Sequence, residues 1–324
     1  MRAIHIGSPG PPETLRLVEV PYPTTISDGI GVEVAFAGIN FWDIMQRQGQ
    51  VPLPATGIPG SEGSGQVTEI GSAADGFAVG DRVAWSKVPS SYSERVTASA
   101  HWFVHVPDSV SLETAASLMM QGTTAWYLAA QACPLKEGET AVVFAAAGGV
   151  GHLLSQLLAL RGVRVIGVVS SVDKVAFASM YCNGGVVVDS ISLIESIRRI
   201  ERNGVSTVFD ATGGPDALRD LSLLRPRGKV VYYGTAGGPL PLVDLALLSA
   251  GSHSLSRVRG QDFLGTSDQW RFAAHEVLAL AASGALKSHV DSCRPLSEAS
   301  EQHIRLEGRL SMGKLLLAPH REVS

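Results

Sequence analysis

One stretch, residues 144–151, constrains the fold of this chain more than any other. It follows residues 140–144, an apolar β-branched run that is typical of a buried strand. The leucines of residues 152–160 keep helical spacing, and Gly162 supplies a helix stop signal. A strand, a glycine turn and a helix in this order form a phosphate-binding unit, because glycine lets the backbone approach a pyrophosphate at the helix start. The predicted phosphate-binding residues are Ala147, Gly148, Gly149, Val150 and Gly151.

The next predicted strand, residues 163–169, bears on which dinucleotide is bound. It runs to Ser170 and Ser171, about twenty residues past the turn, where a site for NAD places Asp or Glu against the ribose 2′-hydroxyl. This chain has two hydroxyls there, followed by Lys174, and small donors with a positive charge suit a 2′-phosphate. The alternative is that Ser171 only caps the next helix and Lys174 is a solvated residue of its first turn. We expect these three residues to favour NADPH over NADH.

The pattern of predicted strands, turns and helices changes along the chain and predicts two domains, which the length of 324 residues allows. Up to residue 120, short β-type runs alternate with Gly and Pro turns, which is typical of an irregular barrel. Over residues 121–258, strands alternate with helices, which predicts a doubly wound parallel sheet covered on both faces. Residues 259–324 hold one helix and a closing strand, and we expect them to complete the first domain. The predicted fold class is therefore α/β.

Composition argues against several classes of protein. Hydrophobic residues make up 45% and charged residues 17% of the chain, which describes a well-buried globular protein. A net charge of −4 without a basic run argues against nucleic acid as a partner. Residues 140–160 carry no charge, but they include three glycines and change from strand to helix, so we predict no membrane span. Three scattered cysteines and no signal-peptide segment predict a cytoplasmic protein without disulfides.

Several motifs together resemble those of one enzyme superfamily. They are Asn40-Phe-Trp-Asp43, Pro59-Gly-Ser-Glu-Gly63, Val79-Gly-Asp-Arg-Val83 and Gln121-Gly-Thr-Thr-Ala125, with Arg225-Pro-Arg-Gly228 and Glu307-Gly-Arg309 further on. With the turn at 145–151, they are similar to the medium-chain dehydrogenase/reductase superfamily, in its zinc-independent quinone oxidoreductase (zeta-crystallin-like) branch. The resemblance covers nearly the whole chain. It implies a GroES-like barrel domain, a Rossmann domain inserted in it, NADPH in the cleft between them, and a homodimer paired through edge strands at 255–258.

The resemblance also bears on metal binding. Zinc-bearing relatives hold the catalytic ion with a Cys, a Gly-His-Glu motif and a later Cys or Asp, and they carry a four-cysteine structural lobe. At the matching positions this chain has Asn40 and Gly60-Ser61-Glu62, and the lobe is missing. Catalytic zinc needs about three protein ligands, usually imidazole or thiolate. We therefore predict that no metal is bound.

Further site residues are implied by the resemblance. Residues 40–43 follow a barrel strand that lines the nicotinamide end of the cleft in the family. There Asn40 is expected to donate to a developing oxyanion or to the nicotinamide. Asp43 is a second catalytic candidate, the alternative being a helix N-terminal residue with no chemical role. The other implied residues are Thr124 near the nicotinamide, as a catalytic and cofactor-binding residue, Tyr233 and Thr235 after the fifth strand, Arg257, and Arg309 at the cofactor phosphates.

Two positions depart from the family pattern. Met45 stands where quinone reductases of this branch often carry Tyr, which suggests a larger and more apolar substrate. Asp189 stands where a Tyr often faces the adenosine phosphates. A carboxylate near a 2′-phosphate is unfavourable, so Asp189 argues against a preference for NADPH.

These observations predict an NADPH-dependent oxidoreductase that reduces a quinone or an α,β-unsaturated carbonyl by hydride transfer without a metal. Hydride addition to such an acceptor does not need a metal to polarise the substrate, and the cofactor supplies the hydride. One alternative is a trans-acting enoyl reductase of polyketide or fatty-acid biosynthesis, which Met45 suits. Another is a non-catalytic NADPH-binding protein, structural or RNA-binding, as crystallin relatives can be.

Overall fold

The computed structural model describes residues 1–321, which divide into two units. The first unit comprises residues 1–123 together with the described residues from Thr266 onward, and the second unit comprises Thr124–Gly265. The functional domain bounds written from the sequence, 1–120 completed by 259–324 and 121–258, stay a prediction. No helix among residues 1–321 is both long and apolar enough to cross a membrane.

The secondary structure is as follows. The strands are β1 (Arg2–His5), β2 (Arg16–Glu19), β3 (Gly29–Ile39), β4 (Glu62–Ile70), β5 (Arg82–Ser86), β6 (Arg95–Ser99), β7 (Phe103–His105), β8 (Thr140–Phe144), β9 (Arg164–Val169), β10 (Gly185–Val188), β11 (Val205–Asp210), β12 (Leu224–Tyr232), β13 (Ser254–Arg257), β14 (Val290–Arg294) and β15 (Lys314–Leu317). The α-helices are α1 (Phe41–Arg47), α2 (Leu112–Leu118), α3 (Gln121–Tyr127), α4 (Gly149–Ala159), α5 (Val175–Ser179), α6 (Leu193–Ile200), α7 (Gly260–Phe263), α8 (Ser267–Ala282) and α9 (Ala299–Glu307).

The first unit is organised around the long strand β3. The sheet follows the order β14-β15-β3-β4-β5-β7, with β6 also paired to β3, and β1 and β2 form a separate antiparallel pair. Antiparallel register sets Ile39 of β3 opposite Leu315 of β15, and Ala37 opposite Gly63 of β4. The last residues of β3 therefore lie beside the first residues of both β4 and β15.

The second unit is a six-stranded parallel sheet in the order β10-β9-β8-β11-β12-β13. Its central strands, β8, β9 and β11, are almost wholly buried and rich in valine, as expected where both faces of a sheet are covered. Because every strand runs the same way, all their carboxyl ends meet at one edge. The predicted α/β class, with a parallel sheet in the second unit, is confirmed by this topology. The uncharged segment 140–160 is strand β8 followed by helix α4, as predicted.

The structure bears on two local predictions in the second unit. The sequence predicts a helix over residues 217–224, and Ala217–Leu223 is a 3-10 helix. Residues 225–228 were expected to be a turn, but they belong to β12. A register shift between Val205 and Thr207 absorbs the extra residues as a bulge, with Arg227 at φ 64°. Pro226 favours an extended conformation for the residue before it, which is why the chain leaves the helix there.

Candidate active site

The phosphate-binding candidate is a tight turn between β8 and α4. Ala145 takes a left-handed backbone conformation with φ 51°, and Gly148 precedes the first residue of α4. A Cβ atom on Gly151 would lie 2.2 Å from the carbonyl oxygen of Ala145, so only glycine fits there. The close approach turns the free N–H groups at the start of α4 toward the carboxyl edge of the sheet. Such groups, with the helix dipole, form a natural site for a phosphate.

The residues predicted to contact a 2′-phosphate lie at the neighbouring strand end. Ser170 and Ser171 follow β9 directly, and Lys174 closes the short 3-10 helix Val172–Lys174. Ser170 is exposed, whereas Ser171 and Lys174 are half-buried. The Asp189 N–H donates to the carbonyl oxygen of Val169 at 2.8 Å, so Asp189 sits beside Ser170. The structure therefore places Asp189 at the strand end that neighbours Ser170 and Ser171.

Three more candidates lie at the same edge, after β12 and β13. Tyr233 follows β12, and its buried hydroxyl has no hydrogen-bond partner within residues 1–321. Burial raises the pKa of Tyr233 well above its usual value, so this hydroxyl is a donor at neutral pH. Thr235 is two residues further on and half-buried. Arg257 ends β13 and donates to the carbonyl oxygens of Tyr232 and Val258 at 3.2 and 3.0 Å.

Thr124 and Arg309 lie on helix α3 and in the turn after α9, respectively. Thr124 is half-buried on α3, ahead of β8 in the chain. Arg309 belongs to the first unit, in the turn after α9, where it is exposed and has φ 55°. Their predicted roles at the nicotinamide and at the phosphates stay predictions.

Asn40 is the centre of a buried polar network in the first unit. Its side-chain Nδ2 donates to Glu62 Oε2 at 2.8 Å, and its Oδ1 accepts from Lys314 Nζ at 2.8 Å. Lys314 also forms an ion pair with Glu62, whose other oxygen accepts from the N–H of Met120. Both charged side chains are fully buried. Removing one partner would leave the other charge buried and alone, at a cost of about 3–5 kcal/mol.

Asp43 extends this network toward a tyrosine and a histidine. Its Oδ2 accepts from the N–H of Asn40 at 2.8 Å and from the Tyr92 hydroxyl at 3.0 Å. The Tyr92 oxygen lies 3.2 Å from His303 Nε2. Within residues 1–321, Asp43 Oδ1 has no hydrogen-bond partner. A carboxyl group in this setting can hold a proton on the free oxygen while the other oxygen stays fixed.

Burial sets the protonation states of these three groups. It raises the pKa of Asp43 to about 7, which is only partly offset by the bonds from Asn40 and Tyr92. Burial lowers the pKa of His303 to about 3 and raises the pKa of Tyr92 well above its usual value. At neutral pH, His303 and Tyr92 are therefore uncharged, and Asp43 is divided between acid and carboxylate.

Sequence reasoning missed four members of this network. Glu62 was noted only as part of a motif, and Lys314, Tyr92 and His303 were not predicted as site residues. A lysine opening the apolar run of β15 was the available signal, since a buried cation requires a buried anion. No comparable signal marks Tyr92 or His303.

The donor set around Asn40 does not suit a zinc ion. Catalytic zinc takes thiolate or imidazole ligands, whereas this position offers an amide and a carboxylate. Both oxygens of Glu62 accept hydrogen bonds from N–H donors, and the ammonium group of Lys314 already balances its charge. Across the described part of the chain, no group of three or more His, Cys, Asp and Glu side chains is arranged to hold a metal. The prediction that no metal is bound stays a prediction, and the chemistry at Asn40 supports it.

Comparison with known proteins shows which family this chain belongs to. Residues 27–132 match the model of the alcohol dehydrogenase GroES-like domain, and residues 149–279 match that of zinc-binding dehydrogenases. A quinone oxidoreductase of Pseudomonas aeruginosa is 34% identical over 291 residues, covering 87% of this chain and 88% of the relative.

Two solved structures are similar over nearly the whole chain. A mycobacterial protein in complex with NADPH matches with a TM-score of 0.93 and 34% identity, covering 98% of this chain and 100% of its own. The Escherichia coli quinone oxidoreductase in complex with NADPH matches with a TM-score of 0.93 and 30% identity, over 98% of this chain and 100% of its own. The resemblance seen in the motifs is thereby confirmed. The chain belongs to the medium-chain dehydrogenase/reductase superfamily of nicotinamide-dependent enzymes, in its quinone oxidoreductase branch.

Proposed function

We propose that this protein is an NADPH-dependent quinone oxidoreductase that works without a metal. The observation that carries the proposal is the β8–α4 turn, closed by a glycine that no other residue can replace, with two serine hydroxyls at the next strand end. Two similar structures were solved with NADPH, and similar relatives carry the name quinone oxidoreductase. These comparisons support both the cofactor and the substrate class.

Each part of the cofactor has candidate partners in the second unit. The N–H group of Gly148 donates to the Ala145 carbonyl oxygen and holds the turn, while the N–H groups of Ala147 and of residues 149–151 suit the pyrophosphate. Ser170, Ser171 and Lys174 suit the 2′-phosphate. The unpaired hydroxyl of Tyr233 is a buried donor that a polar group of the cofactor would satisfy, which is a reason to expect a ligand there. Thr235 and Arg257 complete the proposed set. When bound, reduced NADPH supplies the hydride.

In the first unit, we propose catalytic roles for Asn40 and Asp43, with Thr124 of the second unit as the third catalytic candidate. Reduction of a quinone to a hydroquinone takes up one hydride, which brings both electrons and one hydrogen, and one proton, which completes the second hydroxyl group. Asp43 holds a proton near neutral pH, and its carboxylate is stabilised by the Asn40 N–H and the Tyr92 hydroxyl once that proton has left. Lys314 and Glu62 fix the orientation of the Asn40 amide.

A second substrate class is favoured by one position. Met45, which replaces an expected Tyr, is half-buried on α1, and its flexible apolar side chain suits an enone or enoyl thioester. For this reason the assay of the proposed function includes an enoyl thioester, the substrate of the enoyl reductase alternative.

The assay follows NADPH absorbance with a small quinone, an enone and an enoyl thioester in parallel. We expect oxidation with the quinone, and a quinone rate above the rate with either other acceptor. A higher rate with the thioester would replace the proposed substrate with the enoyl reductase alternative. Tight NADPH binding without oxidation by any acceptor would contradict an enzymatic role and favour the non-catalytic alternative.

We also propose a homodimer formed through the second unit. Strand β13 lies at the end of the sheet order, and within residues 1–321 it pairs only with β12. The connection that leads into it exposes several apolar side chains, namely Leu242, Val243, Leu245 and Leu247. An unpaired edge next to exposed leucines supports pairing with a second copy. The cytoplasmic location stays a prediction.

A further inference from the structure

Asp189, the residue that argued against NADPH, is not an isolated negative charge. Its Oδ2 accepts from Arg219 Nη2 at 2.8 Å. Both side chains are about one-third exposed, so the pair is accessible to a ligand while remaining partly shielded from water. The backbone of Asp189 follows the end of β10, beside the end of β9, so the ion pair is anchored at the strand end that neighbours Ser170 and Ser171, the residues proposed to bind the 2′-phosphate.

The position of Arg219 is fixed from a second direction. Its guanidinium group lies over the ring of Phe144, 5.7 Å from the ring centroid. Phe144 is the last residue of β8, directly before the phosphate-binding turn. Arg219 therefore reaches across the strand ends from β8 to β10, the two strands that flank β9. A cavity of about 540 Å³ opens beside it, with Asp189, Ser190 and Asp216 among its lining residues.

The local charge balance depends on this one arginine. Asp216 and Asp220 also act on Arg219, and Asp220 is buried, which raises its pKa to about 8 and keeps it mostly neutral at pH 7. Asp189, Asp216 and the buried Asp210 are the other carboxyl groups that interact with Arg219. Arg219 is the cation in direct contact with one of them, and Lys174 is the other cation proposed for this end of the cofactor.

We propose that Arg219 masks Asp189 and thereby allows this edge to accept a 2′-phosphate, which makes the Arg219–Asp189 pair a determinant of selectivity between NADPH and NADH. The proposal rests on the proposed use of NADPH. A 2′-phosphate adds close to two negative charges near neutral pH. An unmasked carboxylate a few ångströms away would repel it, whereas NADH, with a 2′-hydroxyl, would be almost unaffected.

The experiment measures binding rather than turnover. Dissociation constants for NADPH and NADH are determined by calorimetry for the wild type, Arg219→Gln, Asp189→Asn and the double variant. Adenosine 2′,5′-bisphosphate and AMP serve as a second pair of probes, because they differ by the 2′-phosphate and carry no nicotinamide. Arg199→Gln is the matched control, since Arg199 is an exposed arginine on α6 of the same unit. Thermal unfolding checks that each variant is folded.

We expect Arg219→Gln to weaken NADPH at least about 10-fold and NADH less than about 2-fold. The double variant should recover most of the lost NADPH affinity, because no carboxylate remains to be masked, and Arg199→Gln should bind like the wild type. An unchanged NADPH-to-NADH ratio in Arg219→Gln would overturn the proposal. So would a double variant that binds NADPH as weakly as Arg219→Gln, because the arginine would then act on the cofactor directly.

Failure of the cofactor assignment has a different signature. A wild type that prefers NADH contradicts the proposed use of NADPH. If Arg219→Gln still shifts the ratio in that case, the masking by Arg219 is supported on its own.

Discussion

Asp43 shows how a single buried group can hold a proton near neutral pH. Its side chain is fully buried, so the charged form loses hydration, and two hydrogen bonds to Oδ2 return only part of that loss. The result is a carboxyl group whose pKa is raised to about 7. Because the unfolded chain releases this proton at much lower pH, the native state holds the extra proton between about pH 4 and pH 7.

The first prediction is a pH-dependent stability difference for Asp43→Asn. The folded-state pKa lies above the unfolded one, so the stability contributed by the bound proton is present at low pH and is lost as pH rises through about 7. Asn keeps an acceptor at this position and does not titrate. Between pH 5 and pH 8, the unfolding free energy of the wild type should therefore fall by about 2–3 kcal/mol relative to that of the variant.

Urea unfolding at a series of pH values measures this difference. Asp75→Asn makes the same substitution at an exposed position, and it should follow the wild type throughout. Parallel pH curves for the wild type and Asp43→Asn would show that Asp43 ionises at its ordinary pKa.

At the residue scale, sequence reasoning found only part of the network. Asn40 and Asp43 are adjacent in one motif and were predicted together. Lys314 is 252 residues from Glu62, and His303 is 211 residues from Tyr92. No local pattern specifies such contacts, because they depend on the pairing of β15 and β4 with β3 and on the packing of α9.

At the scale of elements, the unit of β8, turn and α4 was predictable because each part carries its own signal. The bounds of β8 were predicted without error, and α4 begins at Gly149, three residues before the predicted helix. The wrong prediction, a turn at residues 225–228, lies where tertiary pairing overrides local preference, because pairing with β11 makes these residues part of β12 at a bulge. Periodicity cannot report a bulge, because it depends on the partner strand.

The second prediction concerns Gly151→Ala. The added Cβ atom would lie 2.2 Å from the carbonyl oxygen of Ala145, a backbone atom that cannot move without opening the turn. We expect NADPH affinity to fall at least about 10-fold, because the N–H groups lose their alignment. The free energy of unfolding should fall by about 1–3 kcal/mol. Calorimetry and urea unfolding measure the two effects.

Gly7→Ala is the control for a glycine-to-alanine change. A Cβ atom at Gly7 meets nothing within 4 Å, so both quantities should stay at their wild-type values. If Gly151→Ala binds NADPH as the wild type does, the turn is not the pyrophosphate site, and the proposed function loses the observation that carries it.

At the scale of the whole molecule, the proposed dimer depends on one edge of the second unit. The side chains of Leu242 and Leu245 are 99% and 75% exposed in the connection before β13. These leucines precede β13, an edge strand of the sheet. Exposure of their apolar surface to water is unfavourable, and contact with a second copy would bury that surface. The net charge of −4 is small enough that repulsion between two copies does not oppose this pairing strongly.

The third prediction is that Leu242→Asp with Leu245→Asp converts a dimer into a monomer. Two carboxylates buried at the interface without partners should raise the dimer dissociation constant at least about 100-fold. Light scattering coupled to size-exclusion chromatography reports the mass of each variant at matched concentration. Leu160→Asp makes the same change at an exposed leucine after α4, and this variant should remain dimeric.

A double variant with the same mass as a dimeric wild type would place the interface elsewhere, and a monomeric wild type would remove the dimer from the proposal. Because both leucines lie outside the strand ends proposed to bind NADPH, cofactor affinity should survive the substitution, which separates loss of assembly from loss of the site.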